Sequence, residues 1–322
     1  MTRPAEGGGL LVLGSLNLDV MLGVRALPTV GETVLGADAV LRPGGKGANQ
    51  AVAAALTGTT VAMAGRVGDD ERAATLRAAL AGAGVDTSQV RTTAERSTGL
   101  AVVLVNSEGD NAIVVSPGAN HAMGPADVDE LRGVIETAAV LLLQLELPVP
   151  VVTRAVEVAG EVGTRVVVNL APATTVPPAM LQGLEVLVVN RSEAEHLVGH
   201  VAADLDALRR AADELRALGP TAVVVTAGAD GAVVADDRGT RHVPVAPVPV
   251  VDTTGAGDAF VGVLAAQLSR GRTLDEALAA ATSAASQAVQ VPGAQLSTLG
   301  RLPGPTEAPV PEPARPAAGQ AP

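Results

Sequence analysis

The segment VDTTGAGDAF, Val251 to Phe260, sets two glycines and an alanine against one acid, Asp258, and then turns apolar. Phe260, Val263, Leu264 and Leu268 follow at helical spacing, and the pattern ends at Gly271. Gly255–Gly257 should therefore open an amphipathic helix. The unpaired N–H groups at a helix start carry partial positive charge and form an anion hole. Two roles for Asp258 fit this place. It can be a first-turn acid that complements the helix dipole. It can also be a base that takes a proton from an attacking hydroxyl while the amides hold a phosphoryl group in transfer. In the second role the carboxylate faces the hydroxyl and the amides face the phosphate.

A second glycine-rich stretch, PGGKGANQAV (43–52), precedes an Ala-rich helical pattern. It is not a Walker A loop, which needs Gly at position 40 and Ser or Thr at position 47, where Val40 and Gly47 stand. It reads either as a glycine hinge into a helix or as backbone N–H groups, Lys46 and Asn49 facing a polar ligand. Polar residues also collect after apolar runs. Asn17 and Asp19 follow the first run and Glu146 follows VLLLQ, while Asn169, Asn190 and Thr226 end three more. Ligands of open parallel sheets bind at the carboxyl ends of strands.

The elements that must position these residues are short Val/Leu runs alternating with helical patterns. Candidate strands are LLVLG (10–14), VAMAG (61–65), VLLLQ (140–144), RVVVN (165–169), VLVVN (186–190) and AVVVT (222–226). Continuous apolar runs suit a parallel sheet covered on both faces. Residues 204–218 put Leu205, Leu208, Ala212, Leu215 and Leu218 on one helical stripe, and TLDE (273–276) is a capping box. The expected fold is α/β: a doubly wound, mostly parallel sheet with helices on both faces. Residues 98–120 read as a hairpin and 31–45 as extended chain, which together predict a small antiparallel lid over about 15–45 and 97–120. The main domain is expected over 10–300. Residues 1–9 are Gly-rich and expected to be loose. The 22 residues from Arg301 hold 7 prolines, too many for a packed core, so they are expected to be a disordered tail.

Composition narrows the function. The chain of 322 residues carries a net charge of −12, which lacks the basic footprint of nucleic-acid binding. With one Phe and no Trp or Tyr, any pocket is walled by aliphatic groups and backbone rather than by stacking rings. Without cysteine there is no disulfide, thiolate metal site or cysteine nucleophile. The run AAVLLLQLELPVPVV is broken by Gln144, Glu146 and two prolines, so no membrane span is expected. MTRPAEGGGL has no apolar leader, and a cytoplasmic location is expected. Phe260 stands where a G-x-G-x-x-G dinucleotide loop needs its last glycine, and no such loop follows the first run, which speaks against a dehydrogenase.

GGKGANQA (44–51) and DTTGAGDAF (252–260) resemble the two signature regions of the ribokinase-like (PfkB) carbohydrate kinases. GSLNLDV (14–20), PTVGETVLG (28–36), STGLAVVLVN (97–106), LLQLELP (142–148), NLAPA (169–173), NRSEAE (190–195), TAGADG (226–231) and GAQLS (293–297) stand in the family's order, so the resemblance runs from about Leu10 to Ser297. It implies ATP-dependent phosphorylation of ribose at its 5-hydroxyl. Asn17, Asp19, Gly45, Lys46, Gly47, Asn49 and Glu146 would bind the sugar, with Asp258 as base and the Gly255, Ala256 and Gly257 amides as anion hole. Asn190, Thr226, Gly228, Gly231, Gly257 and Thr282 would border ATP. Glu193 would help to hold Mg²⁺, directly or through water. K⁺ or a similar cation would sit at Asp252, Thr254, Ala288, Val291, Gly293 and Ser297. The lid would also form a homodimer interface. The alternatives are a related kinase for deoxyribose, another pentose, a hexose or a nucleoside, and a non-catalytic ligand-binding protein that keeps the fold.

Overall fold

A computed structural model describes residues 8–108 and 110–291. Nine strands form the main sheet: β1 (Leu10–Leu13), β4 (Val61–Gly68), β5 (Asp86–Thr93), β8 (Val140–Gln144), β9 (Arg165–Asn169), β10 (Val186–Asn190), β11 (Ala222–Thr226), β12 (Ala232–Asp236) and β13 (Gly239–Val243). Their order is β13-β12-β11-β10-β9-β8-β1-β4-β5, parallel from β11 through β5 and antiparallel at the β12–β13 edge. The chain starts at β1 in mid-sheet and later strands are added on both sides, so the crevice where strand order reverses lies at the carboxyl ends of β1 and β8.

Nine helices lie in the described residues: α1 (Lys46–Leu56), α2 (Glu71–Gly82), α3 (Pro125–Glu130), α4 (Arg132–Thr137), α5 (Val149–Val162), α6 (Arg191–Val198), α7 (Leu205–Arg216), α8 (Ala256–Ser269) and α9 (Leu274–Ala288). Side chains alternate across a strand, so every apolar run feeds two cores. Leu11, Leu13, Leu141, Leu143, Val166 and Val168 pack against α3 to α7. Leu10, Val12, Leu142, Val167 and Val188 pack against α1, α2, α8 and α9.

The lid is a four-stranded sheet in the order β3-β2-β6-β7, made of β2 (Asn17–Gly23), β3 (Val40–Gly44), β6 (Gly99–Val105) and β7 (Asn111–Ser116). The outer pairs are antiparallel and the β2–β6 pair is parallel. Before β3, the 31–45 stretch is largely irregular, with one bridge from Gly36 to Val24.

Three expectations change. The helix at Asp258 is not amphipathic: every residue from Asp258 to Leu268 is buried, because α1 and α9 flank α8 over the sheet. Gly262 allows this, since a Cβ there would come within 2.3 Å of the Gln50 carbonyl. Leu218 lies beyond the end of α7 and is exposed, so the stripe stops at Leu215. Gly9 belongs to the folded body, where its carbonyl accepts from the Ala139 amide. Residues 1–7 and the proline-rich 301–322 lie outside the described residues.

Candidate functional site

Four elements converge at the sheet's carboxyl edge. Strand β1 runs through Ser15 and Leu16 into β2, which carries Asn17 and Asp19. Gly44 and Gly45 lead into α1, and Gly45 must be glycine. A Cβ on Gly44 would meet the Asp19 carboxylate at 2.1 Å. Gly45 has φ 91° and lies against the Asn17 amide and the Ser15 carbonyl. A Cβ on Gly47 would meet the Ser15 amide at 2.6 Å, so the start of α1 rests on the end of β1. The Lys46 amide donates to Glu146 Oε2 at 3.1 Å, and Ser15 Oγ donates to the same oxygen. Lys46, Asn49 and Gln50 share one face of α1 by their i, i+3 and i+4 spacing. Asn49 Nδ2 donates to Asp258 Oδ2 at 3.2 Å, and Gln50 Nε2 donates to Asp258 Oδ1 at 2.9 Å.

The Gly255–Gly257 segment, expected as an anion hole, immediately precedes Asp258 at the start of α8. Gly255 is the N-cap of α8 with φ 79°, a conformation natural only to glycine. The Gly255 and Gly257 amides have no hydrogen-bond acceptor among the described residues, whereas the Ala256 amide makes a 3.3 Å bond to the Thr253 carbonyl. Asp258 is buried in the first turn.

Charge is concentrated here. Burial, with Glu146 and Asp258 nearby, pushes the Asp19 carboxyl up to about 7. Lys46 is held above its ordinary value chiefly by Asp258; burial opposes this, and Glu146 and Glu193 reinforce it. Burial raises Glu193, against the Asn190 amide and Lys46. One ammonium therefore serves several carboxylates, an arrangement able to bind hydroxyl groups on one side and phosphate oxygens on the other.

Lys46, Asn190, Glu193, Thr226, Gly255, Gly257 and Asp258 line an open cleft, together with Asn169 and the apolar walls of Ala171, Val188, Val189 and Val261. Asn190 caps α6, with its side chain accepting from the Glu193 amide while Glu193 Oε2 accepts from the Asn190 amide. Gly228 and Gly231 follow β11 in left-handed conformations. Thr282 lies on α9 and does not line this cleft.

The residues suit a magnesium ion held mostly by phosphate oxygens. Among the described residues no group of three His, Asp or Glu gathers to chelate a metal. Glu193 Oε1, on a cleft-lining side chain, has no hydrogen-bond partner among those residues. For a monovalent cation, the Val251 and Asp252 amides both donate to the Val289 carbonyl, and the Thr254 amide donates to Asp252 Oδ1. This joins the Asp252–Thr254 segment to the end of α9, near Ala288 and Val291, so the residues expected to border a cation come from neighbouring stretches of chain. Gly293 and Ser297 fall outside the described residues.

Sequence reasoning missed Gln50, Gln144, Ser15 and Asn120. Gln144 Nε2 donates to Gln50 Oε1 at 2.8 Å, and Asn120 bonds the Leu16 backbone and Asn17 Oδ1. A buried amide ending the otherwise apolar run VLLLQ was the visible signal for Gln144.

A buried acid beside the glycine-opened start of a helix, at the carboxyl edge of a doubly wound sheet, is an arrangement suited to phosphoryl transfer. The chain belongs to the pfkB family of carbohydrate kinases, whose model matches residues 9–299. It is 36% identical over 288 residues to the ribokinase of Haemophilus influenzae, covering 89% of this chain and 94% of that one. It is 37% identical over 290 residues to the bifunctional ribokinase/ribose-5-phosphate isomerase A of Fructilactobacillus sanfranciscensis, covering 89% of this chain but 54% of that longer protein. The structure of Arabidopsis thaliana ribokinase complexed with ribose and ATP matches with a TM-score of 0.83 at 31% identity, covering 89% of this chain and 94% of that one. No helix among the described residues is long and apolar enough to cross a membrane.

Proposed function

We propose that this chain transfers the γ-phosphoryl group of ATP to the 5-hydroxyl of D-ribose, giving ribose 5-phosphate and ADP. The observation that carries this reading is the buried Asp258 carboxylate in the first turn of α8, beside the Gly255 and Gly257 amides, which have no acceptor among the described residues, with Lys46 and Asp19 both within its electrostatic reach. The choice of ribose draws on the relatives' substrates.

In this reading the carboxylates of Asp19 and Glu146 accept from sugar hydroxyls, while Asn17, Lys46, Asn49 and the Gly45–Gly47 amides donate. Asp258 takes the proton of the 5-hydroxyl as that oxygen bonds to the γ-phosphorus. The bond from phosphorus to the bridging oxygen breaks, and ADP departs with that electron pair. The Gly255–Gly257 amides stabilise charge on the transferring group. Asn190, Thr226, Gly228 and Gly231 border the nucleotide, with Thr282 at its adenine side. When bound, Mg²⁺ neutralises phosphate charge, with Glu193 as its protein partner directly or through water. A K⁺ site at Asp252, Thr254, Ala288 and Val291, completed by Gly293 and Ser297, supports the loop that carries the anion hole. We read residues 10–300 as one domain, active in the cytoplasm as a homodimer joined through the lid.

A panel of ribose, 2-deoxyribose, other pentoses, hexoses and nucleosides, ranked by kcat/KM with ATP, tests the reading. Ribose should lead, and adding K⁺ to a K⁺-free assay should raise its rate. Another leading sugar would overturn the choice of substrate. No turnover with any acceptor would sink the kinase reading and favour a ligand-binding protein.

A further inference from the structure

Gln50 is fully buried within α1 and makes hydrogen bonds at both ends of its amide. The polarity of this amide follows from one fixed acceptor. The Val188 backbone carbonyl can only accept, so the Asn169 group bonded to it at 3.2 Å is the donor Nδ2. Asn169 then turns Oδ1 toward Gln50, which must answer with Nε2 at 3.0 Å. The same Nε2 donates to Asp258 Oδ1 at 2.9 Å. Gln50 Oε1 is left to accept from Gln144 Nε2 at 2.8 Å. Gln144 is fully buried too, and its Oε1 has no hydrogen-bond partner among the described residues. That oxygen packs against the Gly14 Cα, in space a Cβ would enter to 2.0 Å. Gly14 thus holds Gln144, which holds Gln50.

We propose that Gln50 is a positioning residue for phosphoryl transfer: its amide, oriented by Asn169 and Gln144, holds Asp258 Oδ1 and so presents Oδ2 to the acceptor hydroxyl. This rests on Asp258 being the base. Among the described residues, the hydrogen bond to Oδ2 is the longer, 3.2 Å one from Asn49. Asn49 is among the residues read as binding the sugar, so its amide is drawn to the substrate, whereas Gln50 has no route to it. The donor that remains on Asp258 during turnover is therefore Gln50. Gly262 makes the contact possible by letting α8 approach the Gln50 backbone.

The test is Gln50→Met, which keeps length and burial but removes the donor. Its kcat should fall about 10- to 100-fold, with KM for ribose and ATP within about threefold of the parent. In an Asp258→Asn background, itself slow, the same substitution should change the residual rate less than about twofold, because its action runs through the carboxylate. An equal fall in both backgrounds, or an unchanged kcat in the parent, overturns the inference. A parent chain that phosphorylates nothing overturns the functional reading and this inference together. If Gln50→Met does not fold, Gln50→Glu is the second variant. Its new carboxyl can donate to Asp258 only while protonated, among Asp19, Glu146 and Lys46 as titrating neighbours. Relative to the parent, its activity should be best near pH 6 and decline toward pH 9. A constant ratio across that range overturns the inference.

Discussion

Asp19 is a carboxylate that the fold makes reluctant to ionise. Burial and the nearby Glu146 and Asp258 hold it at about 7, against an ordinary value of 3.8. Its folded value lies above its unfolded one, so its contribution to stability is full below about 3.8 and is lost as pH rises through about 7. A sugar hydroxyl donates best to the ionised form. Ribose affinity should therefore improve as pH rises from 6 to 7, by up to about fivefold, and level off above about pH 8. Calorimetric titrations of ribose across this range would check it, and Asp19→Asn should flatten the profile; an equally steep profile in that variant would refute the assignment. Asp19, Lys46, Glu146 and Asp258 were legible in the sequence because each stands beside a local signal, either a glycine turn or the end of an apolar run. Gln50 and Gln144 were not. An amide in an Ala-rich helix or closing a Leu run reads as filler, and their partners lie 94 and 208 residues away along the chain. Only the sheet order and the α1–α8 contact bring them together.

Among the elements, the lid is fastened to the body at two roots. Asp70 caps α2 through the Ala73 amide and also accepts from the Thr98 amide and hydroxyl, just before β6. Thr98 Oγ1 in turn accepts from the Gly68 amide. At the other root, Asn120 grips the backbone of Leu16 on both sides and Oδ1 of Asn17, where β1 passes into β2. Burial opposes ionisation of Asp70, but the donors from Thr98, Ala73 and Arg72 outweigh it and bring the carboxyl down to about 2. Because the folded value is depressed, the contribution is full above about 4 and is lost as pH falls toward 2. Asp70→Ala removes a helix cap and a lid anchor together. It should cost about 1 to 3 kcal/mol, seen as a lower Tm at pH 7, and raise KM for ribose more than KM for ATP. A Tm loss with both KM values unchanged would make Asp70 a helix cap alone. The apolar strands and capped helices were readable from periodicity and cap residues. Strand β5, DTSQVRTT, was not, because it is a largely polar edge strand that pairs only with β4. The helical pattern of α8 was also misread. Flanking by α1 and α9 buries all its sides, so the spacing of its large residues carries no information about a solvent face.

At the scale of the whole molecule, the lid is a thin sheet with apolar side chains on both faces. Residues paired across strands share a face. Asp19 lies in one row with Arg42, Ala101 and Val115, and the next row on that face is Val40, Met21, Val103 and Ile113. The face that carries Asp19 thus continues into an apolar strip on which Val40, Val115 and Ile113 are 47%, 47% and 56% exposed. On the opposite face Leu41 and Val114 are 60% and 70% exposed. Isolated exposed apolar residues need no explanation, but adjacent ones on paired strands mark a surface that is covered in use. A second copy of this chain fits that role, because one self-complementary patch closes a two-fold pair without a different partner. Ile113→Asp tests this, since it places a charge in the strip two residues along the sheet from the Asp19 row, at an exposed position outside the core clusters. Light scattering at micromolar concentration should give twice the chain mass for the parent and a single chain mass for the variant, with little change in Tm. KM for ribose should rise in the variant, because a lid without its partner covers the sugar less well. A parent that scatters as a monomer, or a variant that stays dimeric, would remove the lid as the interface and leave its apolar strip as a cover for the sugar alone.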